Sequence, residues 1–133
     1  MKVGQIQTLK VARISDFGLY LSDEEGQEVL LPNRFVSLKN AIGDEIEVFV
    51  YHDSEDRLVA TTDRPLITEG RVASLKVVDK NIHGAFLDWG LEKDLFLPFK
   101  QQTAKVEKGD QCLVSLYIDK SQRLCATMRV YEH

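Results

Sequence analysis

The sequence contains the same pattern twice, at an interval of 66 residues. The segment "GQIQTLKVARISDFGLYL" at positions 4–21 is followed by "GRVASLKVVDKNIHGAFL" at positions 70–87. Aligned without a gap, residues 4–64 and 70–130 share 18 identical residues in 61 positions. Because a repeat of this kind decides the architecture of a chain, the alignment predicts two copies of one folding unit.

Each copy spans about 65 residues, which is near the lower size limit for a domain that folds alone. The repeat places the two predicted domains at residues 1–64 and 67–133, with the short segment "RPLITE" at their junction. No apolar run approaches the ~20 residues that span a bilayer, and the amino-terminal segment lacks the apolar core of a secretory signal. We therefore expect a cytoplasmic protein that has no membrane partner.

Alternating apolar residues in "DEIEVFVYHD" and "DQCLVSLYID" are typical of a half-buried strand. The segments "LVATT" and "LCATM" follow after polar turns, and "VGQIQTLKVARI", "GLYLSD" and "EVLLP" are three earlier strand candidates. The longer segment between the third and fourth strands has no clean period and has room for one short helix. Five short strands connected in this way favour a small barrel, since closure removes exposed sheet edges. The predicted fold is all-β, with two tandem five-stranded OB-fold barrels.

The sequence also predicts structural roles for several single residues. Gly18 and Gly84 lie inside predicted strands, where a glycine commonly marks a bulge or the sharp bend of a small barrel. The repeat aligns Cys112 and Cys125 with apolar residues of the first copy, which predicts that both pack in the core. Trp89 has no aromatic counterpart in the first copy, and two roles remain open for it: an exposed contact or a cap on the barrel end.

Both copies resemble the S-one RNA-binding domain, an OB-fold family. The resemblance rests on an ordered set of features: an opening glycine, a Phe-Gly pair (His-Gly in the second copy) followed by an aromatic residue, a Gly-Asp pair before a strand, and an Asp-x-x-x-Arg turn. Two tandem copies with Leu-Pro in place of the usual Val-His look most like the amino-terminal half of the bacterial conserved virulence factor B family. This resemblance implies RNA binding in post-transcriptional or translational regulation.

The resemblance also implies a face on each barrel that binds single-stranded RNA. Such faces use rings to stack on unpaired bases and cations to contact the backbone, since each base has a π-face and each linkage a charge. Asp53 and Asp119 are expected to orient the arginines of the Asp-x-x-x-Arg turns. Pro32 and Pro98 replace the histidine that the family usually has, which affects one nucleotide contact. The predicted RNA-binding residues are Phe17, Tyr20, Arg34, Arg57, His83, Phe86, Lys100 and Arg123.

The charge of the chain is unevenly distributed between the two copies. The formal net charge is -4; residues 1–66 carry 7 Lys and Arg against 12 Asp and Glu, whereas residues 67–133 carry 10 against 9. A net negative charge gives no general attraction to a polyanion, so we expect electrostatic attraction to RNA mainly from the second barrel. The alternative is a protein–protein interaction module whose acidic first barrel faces a basic partner and which has no affinity for RNA.

The sequence also lacks the usual patterns of catalytic and metal sites. It contains no nucleophile with a plausible base, no carboxylate cluster repeated in both copies and no phosphate-binding glycine loop. It has no CxxC pair and no clustered His and Cys residues. We therefore predict a protein that is not an enzyme and that uses no cofactor, no metal and no small-molecule substrate.

Overall fold

The computed structural model describes residues 1–131 and divides the chain into two compact units. The first unit is Met1–Arg64, and the second begins at Pro65. The strands of the first unit are β1 (Ile6–Ser15), β2 (Gly18–Ser22), β3 (Glu28–Pro32), β4 (Glu45–His52) and β5 (Leu58–Thr61). Those of the second are β6 (Val72–Asn81), β7 (Gly84–Asp88), β8 (Leu95–Pro98), β9 (Gln111–Ile118) and β10 (Leu124–Thr127). The all-β prediction, with five strands in each unit, is confirmed.

The first unit is a closed barrel with the strand order β1-β2-β3-β5-β4. Neighbouring strands are antiparallel except β3 and β5, which pair in parallel through Leu30 and Val59. The first half of β1 pairs with β4 and the second half with β2, and a bulge between Val11 and Arg13 interrupts the register. A bulge increases the local twist, which helps one strand to serve both sides of a small barrel. The barrel core consists of Leu9, Val11, Leu19, Leu21, Val29, Leu31, Val48, Val50 and Ala60.

The second unit has the same arrangement, with the strand order β10-β9-β6-β7-β8. Here β6 pairs with both β7 and β9, and its bulge lies between Val77 and Asp79, at the position equivalent to the bulge of β1. The outer strands β8 and β10 lie beside each other, so the sheet curves into a barrel-like form. The two five-stranded, barrel-like sheets confirm the prediction of tandem OB folds.

Gly18 and Gly84 each begin the second strand of their unit. Their φ angles are 147° and 158°, a region that residues with a side chain rarely adopt. A Cβ on Gly18 would overlap the carbonyl oxygen of Leu31, and a Cβ on Gly84 would overlap that of Leu97. These glycines therefore permit a close approach of the second and third strands, while the bulges lie in β1 and β6.

A single turn of 3-10 helix follows the third strand of each unit, at Asn33–Phe35 and Phe99–Gln101. Pro32 and Pro98 precede these turns with φ angles of -59° and -58°, and the fixed φ of proline suits the change from strand to turn. The short helix expected in this segment is thus one 3-10 turn. Within residues 1–131, no helix is long and apolar enough to cross a membrane.

Trp89 is a core residue of the second unit. Its side chain is buried, and its indole N–H donates a hydrogen bond to the carbonyl oxygen of Lys93. Its own carbonyl oxygen accepts a 2.7 Å hydrogen bond from the backbone N–H of Leu66. Of the two roles left open by the sequence, the exposed contact is therefore wrong. Cys112 and Cys125 are buried free thiols, as the repeat predicts.

Candidate nucleic-acid interface

Phe17 projects from the tight turn between β1 and β2, with 72% of its surface exposed. Two hydrogen bonds of the Phe17 backbone fix this turn. The backbone N–H of Phe17 donates to Ser15 Oγ at 3.2 Å, and its carbonyl oxygen accepts from the backbone N–H of Asn33 at 3.1 Å. A large ring is thus presented to solvent from a well-fixed backbone, which is the geometry that base stacking requires.

Tyr20 lies on β2, half-buried, opposite Arg13 of β1 and Leu30 of β3. The guanidinium group of Arg13 covers its ring at 3.8 Å from the centroid. Arg13 is itself held by Glu28, whose Oε1 lies 3.0 Å from Nε and 3.0 Å from Nη2. Arg13 is not predicted by the sequence pattern, because its contact with Tyr20 depends on the register beyond the bulge of β1.

Strand register brings the start of β5, which Arg57 precedes, to the side of the first barrel that carries Tyr20. Tyr20 pairs with Leu30, and Leu30 pairs with Val59 of β5. Paired residues of neighbouring strands point to the same face of a sheet, and residues two positions apart on one strand do so as well. Arg57 lies two residues before Val59, in the turn that enters β5. We call the predicted set Phe17, Tyr20 and Arg57 the ring face of the first unit; Phe17 lies in the turn that leads into the strand of Tyr20.

Asp53 organises the turn that carries Arg57. Its Oδ1 accepts 2.9 Å hydrogen bonds from the backbone N–H groups of Glu55 and Arg57, and its Oδ2 accepts one at 3.0 Å from Arg57 Nε. Burial raises the pKa of Asp53, but the backbone and side-chain hydrogen bonds from Arg57 and the bond from Glu55 outweigh it, so the net pKa is lowered. Glu55 also pairs with Arg57 Nη2 at 2.8 Å. The arrangement matches the orienting role predicted for Asp53, which stays a prediction.

Arg34 lies in the 3-10 turn after β3 and is exposed. Its guanidinium group covers the ring of Phe35 at 4.6 Å from the centroid. Its contribution to RNA binding stays a prediction.

In the second unit the predicted ring residues occupy the equivalent positions. His83 is exposed in the β6–β7 turn, where its backbone N–H donates to Asn81 Oδ1 at 2.8 Å. Phe86 is half-buried on β7 and packs against Phe96 of β8, with ring centroids 5.3 Å apart and planes tilted by 41°. Phe96 is a second ring at this face that the resemblance did not include.

Carboxylates surround the Phe86 face of the second unit. Asp79 pairs directly with Phe86 in the strand register, at the position that Arg13 has in the first unit. Burial raises the pKa of Asp94, and the charges of Asp88 and Asp79 raise it further. Asp79 thus places a negative charge beside Phe86, although the second unit as a whole carries more basic than acidic residues.

The other predicted cations of the second unit lie in its turns. Arg123 is exposed in the β9–β10 turn, where Asp119 Oδ1 accepts from its backbone N–H at 3.0 Å. Asp119 Oδ2 lies 3.6 Å from Cys125 Sγ, whereas Asp53 uses the same oxygen for the arginine of its own turn. Lys100 is exposed in the 3-10 turn after β8. Within residues 1–131, no group of three His, Cys, Asp or Glu residues is arranged to hold a metal ion.

The fold defines the class: two tandem OB-fold barrels, of which the first has an exposed Phe17 and a guanidinium group over Tyr20. The family model of the S1 domain matches residues 3–63 and 70–129, so the chain belongs to the S1 domain family. This is the S-one family that the sequence resembles, and that prediction is confirmed.

Named relatives and a solved structure agree with this assignment. The chain is 34% identical over 131 residues to protein YitL of Bacillus subtilis, and 29% identical over 133 residues to conserved virulence factor B of Staphylococcus saprophyticus. Each match covers 95% of this chain and 44% of the relative, so the chain spans less than half the length of these curated relatives. The expected resemblance to conserved virulence factor B proteins is confirmed.

A crystal structure of a multidomain protein with nucleic acid binding domains, from Streptococcus pneumoniae, has the same fold. It superposes with a TM-score of 0.76 at 22% sequence identity, over 93% of this chain and 45% of that one. At 22% sequence identity, this structural similarity supports the assignment of the fold alone.

Proposed function

We propose that the chain is a non-catalytic protein that binds single-stranded RNA with low sequence specificity and acts in post-transcriptional or translational regulation in the cytoplasm. The observation that carries this proposal is the ring face of the first unit. Its members are an exposed Phe17 in the turn before β2, a half-buried Tyr20 on β2 and an exposed Arg57 before β5, and Tyr20 is linked to β5 through Leu30 of β3. Membership of the S1 domain family and the nucleic acid binding domains of the S. pneumoniae protein support it.

The chemistry of this face favours unpaired strands. Stacking uses the π-face that every base has, and a guanidinium group binds the negative charge of the backbone. Neither contact therefore depends strongly on the RNA sequence. A base in a duplex is already stacked and cannot lie on Phe17. The expected selectivity is therefore for single strands over duplexes.

The remaining predicted residues have secondary roles in this proposal. Arg34, Lys100 and Arg123 add exposed cations, His83 and Phe86 form a weaker stacking site, and Asp53 and Asp119 orient the turn arginines. We assign the main platform to the first unit, because it has an exposed phenylalanine, Phe17, where the second unit has His83, and Arg13 beside its tyrosine where the second unit has Asp79. We also propose domain limits of 1–64 and 67–133; residues 132 and 133 lie outside the described part of the chain.

Fluorescence anisotropy with a labelled single-stranded RNA of about 12 nucleotides, within the site size of OB folds, tests the proposal. Phe17→Ala should weaken binding by roughly 5- to 100-fold, which corresponds to the loss of one stacked base. Ile14→Ala is the control, because Ile14 is an exposed apolar residue in the same hairpin but has no π-face. Equal affinity for a blunt RNA duplex, or equal effects of the two substitutions, contradicts the proposal.

A protein partner is the second candidate, and exposed apolar residues favour it. Leu38 and Ile42 are exposed in the segment between β3 and β4 of the acidic first unit. A basic partner with an apolar contact would fit this surface. If the wild-type chain binds no RNA, while a pulled-down partner is lost on Leu38→Ser and retained on Ile14→Ser, this candidate replaces the first.

A further inference from the structure

A groove of about 460 Å³ opens on the second unit. It lies between the turn end of β6 and β7 on one side and the segment after the 3-10 turn on the other. The residues of the groove that can contact a polar or aromatic ligand are two lysines, three uncharged polar side chains and one aromatic ring. These are Lys80, Lys105, Asn81, Gln102, Thr103 and Phe99. None of them belongs to the predicted RNA-binding set.

Phe99 presents an aromatic ring at this groove, with 66% of its surface exposed. Its backbone N–H donates to the carbonyl oxygen of His83 at 3.1 Å, and its carbonyl oxygen accepts from the N–H of Gln102 at 3.2 Å. Pro98 precedes it and restricts the chain at the start of the turn. The ring is therefore exposed on a fixed backbone, which suits the stacking of a base.

A carboxylate links the two lysines of the groove. Lys80 Nζ lies 2.8 Å from Glu107 Oε2 and donates to the carbonyl oxygen of Val106 at 3.3 Å. Lys105 Nζ lies 3.6 Å from Glu107 Oε1. A phosphate group is also anionic and offers more acceptor oxygens, so it can replace the Glu107 carboxylate between these lysines. The ion pairs that it displaces are partly exposed and individually weak.

The residues of the groove differ between the two units. At the positions of Lys80, Phe99 and Glu107, the repeat has Ile14, Asn33 and Ala41 in the first unit. Lys105 has a counterpart in Lys39, whereas the other cation, the ring and the carboxylate occur at these positions in the second unit alone. Carboxylates at the Phe86 face repel a phosphate backbone, whereas the groove has two lysines against one glutamate.

We propose that this groove binds one nucleotide of single-stranded RNA, with its base stacked on Phe99 and its phosphate held between Lys80 and Lys105. The phosphate occupies the place of the Glu107 carboxylate, so Glu107 is an intramolecular competitor for the site. The second unit then contacts the strand mainly through the groove and less through Phe86. The inference rests on the proposed RNA binding and deepens it.

Glu107→Gln tests the competitor role, with Glu47→Gln as a matched control. Glu47 is also paired with a basic side chain, Arg64, and the two glutamates are 55% and 57% exposed. Both substitutions remove one negative charge, so a general charge effect is the same in both. Glu107→Gln should tighten RNA binding by roughly two- to fivefold and steepen the log–log salt dependence by about 0.7, the value for one further phosphate of a single strand. Glu47→Gln should change the affinity less and leave the slope as it is.

Phe99→Asn tests the stacking role. The first unit has Asn33 at the start of the same 3-10 turn, so asparagine is compatible with this backbone. Binding should weaken by roughly 5- to 100-fold with an unchanged salt slope. Leu113→Asn is the control, because Leu113 is another exposed apolar residue of the second unit but has no ring, and it should have no effect. Circular dichroism of each variant checks that the fold is retained.

The possible results distinguish a failure of the groove proposal from a failure of the proposed RNA binding. If the wild-type chain binds RNA but Phe99→Asn and Glu107→Gln behave like their controls, the groove inference is overturned and RNA binding stands. If Phe99→Asn abolishes binding while Phe17→Ala has no effect, the groove stands and the ring face is overturned. A wild-type chain that binds no single-stranded RNA overturns both.

Discussion

The guanidinium carbon of Arg13 lies 3.8 Å from the centroid of the Tyr20 ring, between directly paired residues of β1 and β2. Glu28 holds the guanidinium at 3.0 Å. A cation over an exposed ring contributes roughly 0.5–1 kcal/mol, and here it also places a positive charge beside a stacking surface. In the second unit the equivalent pair is Asp79 and Phe86, so the same register position carries the opposite charge.

Asp79→Arg should strengthen binding of single-stranded RNA. The new guanidinium would lie beside Phe86 and reduce the repulsion at that face, and one added phosphate contact should steepen the log–log salt dependence by about 0.7. Anisotropy titrations at several salt concentrations measure both effects. Asp63→Arg is the control, since it makes the same charge change at an exposed site of the first unit. An equal gain in the two variants would show that only total charge matters.

Asp53→Asn should weaken RNA binding by about 1 kcal/mol, the usual size of a hydrogen bond. Asparagine keeps an oxygen for the backbone N–H groups of the turn but cannot accept from Arg57 Nε in the same geometry. Removing a negative charge would by itself strengthen RNA binding. Weaker binding by Asp53→Asn therefore shows that Asp53 positions Arg57. Glu55→Gln is the matched control, because Glu55 also pairs with Arg57 and should give unchanged or tighter binding. Tighter binding by Asp53→Asn would show that its charge only repels RNA.

Gly18→Ala should lower the free energy of unfolding of the first unit by roughly 3 kcal/mol or more. The added Cβ meets the carbonyl oxygen of Leu31 at a φ angle that alanine rarely adopts. Gly26→Ala separates the steric overlap from the unfavourable φ angle, because Gly26 has a φ of 84° but no atom within 4 Å of the added Cβ. It should cost only about 1–2 kcal/mol. Urea denaturation measures both, and equal losses would exclude the close approach of β2 and β3 as the cause.

Cys125 should react slowly with thiol reagents in the folded protein. Burial raises its pKa to about 12, and the nearby Asp119 carboxylate adds to this effect. An unfolded thiol titrates near pH 9.0, so stability should fall as the pH rises from that value towards 12, because only the unfolded state then ionises readily. Labelling with iodoacetamide at about pH 8, with and without urea, checks the reactivity. Equal rates would contradict the burial of this thiol.

Local sequence patterns were sufficient to predict the strands and one part of the site. Alternation in β4 and β9 predicted half-buried strands, and the 66-residue repeat predicted that both units share one topology. Asp53 and Arg57 were also predicted together, because a four-residue turn brings their side chains close whatever the rest of the fold does.

Contacts between distant residues were not predictable in the same way. Arg13 reaches Tyr20 only because the bulge of β1 shifts the register by one position. The groove brings Lys80 to Phe99 and Lys105, which are 19 and 25 positions further along the chain. No periodicity connects these residues, since their proximity depends on how the hairpin and the 3-10 turn pack at the end of the second barrel.

By itself the sequence determined the number of units and the five strands in each, because these follow from repetition and from alternation over a few residues. Only the tertiary structure decided which charges surround which rings. The charge count favours the second unit, yet a cation lies at Tyr20 and carboxylates lie at Phe86. The reason is that charges act over distances of about 10 Å or less in salt, so strand register and barrel closure, and not net charge, determine the potential at a binding face.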